Sequence, residues 1–242
     1  MEEITFDEMW KKLSKYLKVN HALEQGFSNG KYTRILAQYA KKVTGIDISH
    51  DFYNMANTNL KDLNNVELLI MDAEKTNFPN KKFDALLSTS FHEFDLSSAQ
   101  YSVDLPLKQR ILKEMIRISN TIVFVEPTDY AITNELFKVF NPNERHGDRI
   151  KQSNNLIDRV MKEANYKLIE AGYSYNKDKF DSKEELQEEM LAWWADIKIP
   201  NNEEEKRSMI AKIDQILNTA GMLSELKVIE DIQYRVFRNV SN

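Results

Sequence analysis

The sequence predicts an α/β protein: a doubly wound, seven-stranded, mostly parallel sheet with an antiparallel last strand, helices on both faces and a helical insertion before that strand. Three observations carry this. Five short apolar runs alternate with segments of helical periodicity, as consecutive parallel strands joined by crossovers require. Those runs are continuous rather than alternating, the pattern of strands buried on both faces. Two later segments, 166–175 and 225–238, are longer and alternate more, as antiparallel edge strands do.

The elements follow in order. Residues 5–18 place Phe6, Met9, Trp10, Leu13 and Leu17 at helical spacing. A strand over 21–25 ends at Gly26, and a helix over 31–41 puts Ile35, Leu36 and Tyr39 on one face. A second strand, 43–46, is closed by Asp47. Ser49 then caps a helix to about 63 with Phe52, Met55, Ala56 and Leu60 periodic. Strands at 66–71 and 83–89 flank Asp72, and a helix over 107–118 turns Leu107, Ile111, Leu112, Met115 and Ile116 inward. The fifth strand, 121–125, is closed by Glu126 and Pro127; a helix over 150–164 precedes the two alternating segments. Between those, 177–222 is charged and reads as two helices around Pro200. The expected organisation is one domain over 1–242: an N-terminal helix at 1–18, a core at 20–175 and 225–238, and an inserted helical pair at 177–222 that can serve as a lid.

Composition bounds the function. A chain of 242 residues buries a full core without covalent staples. Cysteine is absent, which excludes disulfides, thiolate metal sites and a cysteine nucleophile, and suits a reducing, cytoplasmic setting. With 33 Lys+Arg against 38 Asp+Glu the net charge is −5, a poor starting point for binding nucleic acid. The lysines at 41–42, 81–82 and in 107–117 make no basic stripe interleaved with aromatics. Residues 1–10 are acidic and amphipathic rather than a leader, and the apolar runs are too short to span a bilayer.

Three strand ends carry chemistry. The first strand runs into Leu23-Glu24-Gln25-Gly26-Phe27-Ser28-Asn29-Gly30-Lys31, where the glycines let backbone approach a ligand. The second ends in Asp47, whose carboxylate can accept from both hydroxyls of a ribose. The third ends in Asp72-Ala73, placed to meet an adenine. In an open parallel sheet the ligand crevice lies at this carboxyl edge.

These segments resemble the class I S-adenosylmethionine-dependent methyltransferases. Residues 24–30 resemble the family's acidic-x-Gly-x-Gly-x-Gly loop, Gly45-Ile46-Asp47-Ile48-Ser49 its second strand, Met71-Asp72-Ala73 its adenine step, and Phe83-Asp84-Ala85-Leu86-Leu87-Ser88-Thr89 its fourth strand. The resemblance spans roughly 20–175 and 225–238 and speaks to the cofactor, S-adenosyl-L-methionine, not to the acceptor. It implies that Glu24 holds the methionine end of the cofactor, that Gly26 and Gly30 allow close approach, that Asp47 with Ile48 meets the ribose side, that Asp72 and Ala73 meet the adenine, and that Ser90 lies near the sulfonium. Two positions depart from the pattern. The middle glycine is Ser28, which requires ordinary backbone dihedrals there, and Phe27, at a place usually small, is expected to pack under the loop.

Methyl transfer from a sulfonium is an in-line displacement, so the protein must align the reactants and exclude water. No metal is expected. The candidate base is His92, in Ser90-Phe91-His92-Glu93, with Glu93 placed to hold its proton. Glu126 faces the same crevice and can orient a cationic amine or accept its proton, so it joins His92 as a catalytic candidate. Tyr130 and His146 lie in the next connection, and Trp193 and Trp194 on the inserted helices can cover an apolar substrate. The expected substrate is a small molecule or peptide, methylated on oxygen or nitrogen. RNA and a non-catalytic accessory role are the alternatives; whether the chain is a monomer or homodimer is open.

Two other motifs compete and fail. Gly26-Phe27-Ser28-Asn29-Gly30 matches a hydrolase nucleophile elbow, but too few strands precede Ser28. A nicotinamide fingerprint needs a glycine where Lys31 stands.

Overall fold

The computed structural model describes residues 4–94, 103–143, 145–193 and 198–240. Its sheet has eight strands: β1 (Ile4–Thr5), β2 (His21–Gln25), β3 (Lys42–Asp47), β4 (Val66–Ile70), β5 (Ala85–Ser88), β6 (Thr121–Pro127), β7 (Tyr166–Lys179) and β8 (Lys227–Asn239). The helices are α1 (Phe6–Leu17), α2 (Lys31–Ala37), α3 (His50–Asn59), α4 (Leu105–Ile118), α5 (Ile132–Phe140), α6 (His146–Glu163), α7 (Lys183–Ala192) and α8 (Glu203–Thr219).

The strand order is β1-β7-β8-β6-β5-β2-β3-β4. From β2 the chain steps outward through β3 to β4, then returns to β5 on the other side of β2. The topological switch therefore lies between β2 and β5. The five strands β2 to β6 pair in parallel, with Gln25 level with both Ile46 and Ser88, Asp47 with Ile70, and Ser88 with Phe124. Their carboxyl ends form one edge.

Both sheet faces are covered. On one, Leu86, Ile122, Phe124 and Phe237 pack against Ile111, Leu112 and Met115 of α4 and Leu156, Ile157 and Val160 of α6. On the other, Leu87, Val123, Val125 and Val236 pack against Met9, Leu13 and Leu17 of α1 and Leu36 of α2. Neighbours Leu86 and Leu87 thus serve opposite cores, which is why the strand reads as a continuous apolar run. A third cluster joins α5, α7 and α8 through Leu136, Phe140, Leu186, Met190, Ile213 and Leu217. Among the described residues no helix is long and apolar enough to cross a membrane.

The structure corrects the strand count from seven to eight and relocates the late strands. β8 is interior, antiparallel to both β6 and β7, and β7 in turn pairs in parallel with β1. β1 has only two residues, and Thr5, at its end, caps α1 by accepting from the Glu8 amide while Glu8 reaches back to the Thr5 amide. α1 also lies against β7, where Glu170 accepts from the Tyr16 hydroxyl at 2.6 Å and pairs with Lys15 at 2.6 Å. Ser49 caps α3 as expected, accepting from the Phe52 amide. α2 stops at Ala37, four residues early, and α6 begins at His146 rather than 150. α5 falls where the sequence reading placed only a connection, although Ile132, Leu136, Val139 and Phe140 stand at helical spacing on one face, with Leu136, Val139 and Phe140 buried.

Candidate active site

The turn after β2 is strained in a defined way. Gly26 and Gly30 have φ of 79° and 88°. A Cβ at Gly26 would lie 2.8 Å from the Phe94 ring, and one at Gly30 2.8 Å from Leu60. The close approaches the glycines permit are thus to Phe94 and to α3. Ser28 does not have the ordinary dihedrals its serine requires: its φ is 47°, in the left-handed region. That conformation costs an L-residue about 1–2 kcal/mol relative to glycine, and more where the Cβ is branched. Ser28→Val is therefore expected to lower the unfolding free energy, and Ser28→Gly not to lower it, in urea titrations of the two variants. Phe27 is 2% exposed and packs with Ala56 and Leu60, under the loop as expected.

Three strand ends then meet. Asp47 closes β3, and its carboxylate accepts from the Ser28 amide at 3.0 Å and the Ser49 amide at 2.9 Å. It joins the β2 turn to the start of α3. The Asp47 carbonyl accepts from Met71, so Asp72 follows directly at the end of β4, where its Oδ1 accepts from the Glu74 amide at 2.8 Å. The Ala73 carbonyl accepts from Gln25 Nε2 at 3.3 Å. Ile48, beside Asp47, is 72% exposed, and Ile70 at the end of β4 is also exposed.

Glu24 lies one residue inside this edge and is fully buried. One of its oxygens accepts from the Thr33 hydroxyl of α2. Burial pushes its carboxyl up to about 8, the Thr33 hydrogen bond acting the other way and the Asp47 charge adding to the rise. Glu24 Oε1, Gln25 Oε1 and Ser88 Oγ are buried without a hydrogen-bond partner among the described residues. Buried polar atoms are generally matched, so unmatched ones at the ends of the neighbouring strands β2 and β5 suit this edge to a polar ligand.

On the β5–β6 side a second polar centre forms. Ser90 has extended backbone and leads into a 3₁₀ turn, Phe91–Glu93. Lys108, buried on α4, donates to the carbonyls of Phe91 and His92 at 2.7 and 2.8 Å. Glu126 accepts from the Phe91 amide at 2.6 Å and the His92 amide at 3.3 Å, and meets His92 Nδ1 at 2.5 Å. It is 2% exposed, and its partners among the described residues are the Phe91 and His92 amides and the His92 ring. Glu93, expected to hold the His92 proton, brings its Oε1 to 3.6 Å from His92 Nε2. That nitrogen is 3.1 Å from His146 Nε2, at the start of α6. His146 Nδ1 meets Asn134 Oδ1 at 2.8 Å, and Phe137 stacks on its ring at 4.9 Å. Burial opposes the charged form of His92, but the adjacent Glu126 and Glu93 carboxylates outweigh it and raise its proton affinity. Burial likewise opposes ionised Glu93, and the two histidines outweigh it.

The remaining candidates do not join either centre in the same way. Tyr130, after β6, is 65% exposed. Trp193 ends α7 and packs on the α5–α7–α8 cluster. Trp194 lies outside the described residues. The sequence reading missed Lys108 and Asn134. A signal existed for the lysine: it stands three and four residues from Ile111 and Leu112, on the apolar face of its helix, where a charge needs a partner.

Comparison with known proteins follows the same lines. Residues 22–121, which hold β2–β5 and the acidic strand ends, match the model of a family described as a methyltransferase domain. No curated protein sequence matches. Among solved structures the fold is similar to that of a candidate methyltransferase from Bacillus halodurans C-125, at 15% identity and a TM-score of 0.63 over 97% of this chain and 98% of that one. It is also similar to the YcgJ protein of Bacillus subtilis, at 12% identity and 0.59 over 98% and 100%. A third is the N-methyltransferase NodS from Bradyrhizobium japonicum WM9, solved with S-adenosyl-L-homocysteine, at 12% identity and 0.53 over 99% and 90%.

Proposed function

We propose that the chain is a class I S-adenosylmethionine-dependent methyltransferase and that it transfers methyl to an oxygen or nitrogen of a small molecule or peptide, a reading supported by the methyltransferase-domain match over residues 22–121. One observation carries the reading. The strained β2 turn, the acids closing β3 and β4, and the His92 centre beyond β5 share one sheet edge, on the two sides of the topological switch.

The residues fit an adenosyl cation. Glu24 Oε1, buried and unmatched, suits the cofactor's ammonium, whose charge offsets the cost of burying the carboxylate. Asp47 would hold the ribose hydroxyls and Asp72 the adenine amine, with Ala73 beside it; Ile48 and Ile70 supply apolar surface for the base. Gly26 and Gly30 keep the turn in the shape that presents Asp47. Ser90 leads to the reacting end. S-adenosylmethionine, when bound, supplies a methyl group already activated on a sulfonium, so the chain's task is alignment and exclusion of water.

The acceptor end is His92 with Glu93 and His146, braced by Glu126 and Asn134. His92 is 2% and His146 8% exposed, so the acceptor must be a slim group that reaches in. This enclosure and the net charge of −5 favour a compact substrate over a nucleic-acid duplex. Tyr130, exposed at the same end of β6, can contact what lies outside.

Two measurements test the reading. Calorimetry should show binding of S-adenosylmethionine and S-adenosylhomocysteine. Labelled methyl from the cofactor should then appear on members of a metabolite and peptide library; transfer confined to RNA would overturn the substrate class. Asp47→Ala is expected to weaken cofactor binding by roughly 1–3 kcal/mol, the scale for leaving the partners of a charged hydrogen bond unmet. A change below about threefold would remove Asp47 from the site.

A further inference from the structure

We propose that His92, Glu93 and His146 form a binding site for one first-row divalent transition-metal cation, with Nε2 of each ring and a carboxylate oxygen of Glu93 as ligands. The proposal reverses the expectation of no metal, and its catalytic meaning rests on the methyl-transfer reading above. The three residues offer ligand atoms that all lie within 4.8 Å of one another. The two ring nitrogens are 3.1 Å apart, and Glu93 Oε1 is 3.6 Å from one and 3.8 Å from the other. A tetrahedral ion with bonds of about 2.0–2.1 Å sets its ligand atoms about 3.3 Å apart. The triangle already has that size.

The hydrogen bonds around the rings strengthen the case. His92 Nδ1 meets the Glu126 carboxylate, which only accepts, so Nδ1 carries a proton. His146 Nδ1 meets Asn134 Oδ1. The orientation of that amide is set on its other side, where Nδ2 donates to the Thr128 carbonyl at 3.0 Å; turned over, it would place oxygen against oxygen. His146 Nδ1 therefore carries a proton too. With a proton on each Nδ1, both Nε2 atoms can turn a lone pair toward the space they share with the Glu93 carboxylate. Metal-bound histidines are held in this manner, their second nitrogen donating to a carboxylate or carbonyl oxygen that fixes the tautomer.

The donor set indicates which cation. Two imidazoles and one carboxylate suit zinc, iron, manganese, cobalt or nickel; magnesium and calcium take oxygen ligands. Three protein ligands leave a coordination position open. An acceptor hydroxyl bound there would release its proton to solvent more readily. The cation then does what a base would do, and His92 is a ligand, its lone pair committed. The favoured substrate is thereby an oxygen nucleophile.

The test uses the full chain, with any tag removed, stripped with EDTA and titrated with zinc(II) in a calorimeter and with cobalt(II) under visible absorption. The expected result is one equivalent of either ion, a cobalt spectrum of four- or five-coordinate type, and no heat from magnesium. His146→Ala and Glu93→Gln should each weaken zinc binding about 10²-fold or more, and Asn134→Ala about 10–100-fold. Cooperative melting of each variant separates lost ligands from lost folding. Glu93→Gln is decisive if the alanine variants do not fold, because the Glu93 side chain is 40% exposed. Wild type that takes up no zinc, or binds it no better than Glu93→Gln, overturns the site and means that the rings share a proton. S-adenosylhomocysteine binding, measured on the stripped protein, decides the cofactor reading separately.

Discussion

Replacing Glu24 by glutamine is expected to stabilise the protein increasingly as pH rises from about 4.5 to about 8. The wild-type carboxyl is fully buried, and burial raises it to about 8 from an ordinary 4.5. Below the lower value the carboxyl is protonated in folded and unfolded chains alike and costs nothing. Between the two values the folded chain holds a proton that the unfolded chain has released. Folding stability therefore falls as pH rises, by about 1.4 kcal/mol per pH unit, until the folded carboxyl ionises near 8. Glutamine never ionises and can still accept from Thr33. The difference in melting temperature between variant and wild type should be near zero at pH 4.5 and largest above pH 8, a gap on the order of several kcal/mol. A pH-independent difference would mean that Glu24 is not held neutral. The same substitution tests the cofactor reading. An arriving ammonium makes the ionised carboxylate favourable, so wild type at pH 7 should release a proton on binding S-adenosylmethionine. Calorimetry in buffers of different ionisation enthalpy reads that release, and Glu24→Gln should show none and bind more weakly.

His92→Ala is expected to lower kcat about 10²-fold or more on whichever acceptor the labelled-methyl screen yields, with S-adenosylmethionine affinity unchanged. The ring lies against three members of its centre: Glu126 at Nδ1, His146 and Glu93 at Nε2. None of these is a residue assigned to hold the cofactor, so the effect should fall on turnover alone. Glu126 would keep its two backbone donors but lose its ring partner while 2% exposed, at a cost of about 1–3 kcal/mol. The melting temperature should therefore fall as well, and kcat must be measured well below it. A kcat within threefold of wild type would take His92 out of the acceptor end.

Much of this was readable from local chemistry. The strand at 21–25 is found where its apolar run places it, and Ser49 caps the following helix because a serine before a periodic segment accepts from an orphan amide. The acids at 47 and 72 stand at neighbouring strand ends because each directly closes an apolar run. What was not readable depends on distant chain. Alternation in 225–238 reports exposure, not neighbours, and β8 takes an interior place only because β7 and then β1 line up outside it. β1 itself is two residues long, below any periodic signal. Ser28 looks harmless in sequence; its left-handed backbone appears only once the turn is built. The histidine pair is the plainest case. His92 and His146 are 54 positions apart, and Glu93, adjacent in sequence, was the suggested holder of the His92 proton. Glu126, which meets His92 Nδ1, comes from the next strand of the sheet.

The outer flank of β7 has a consequence for how the molecule behaves in a crowd. A flank strand shows a row of unpaired amides and carbonyls, a ready template for another strand. Here β1 takes up part of that row, and α1 is fastened beside it through Lys15 and Tyr16 on Glu170. Residues 4–17 thus stand between the folded chain and the growth of its sheet from one copy into the next. A bulky fusion ahead of them would pry at that seal, and aggregation would set in before any loss of the core.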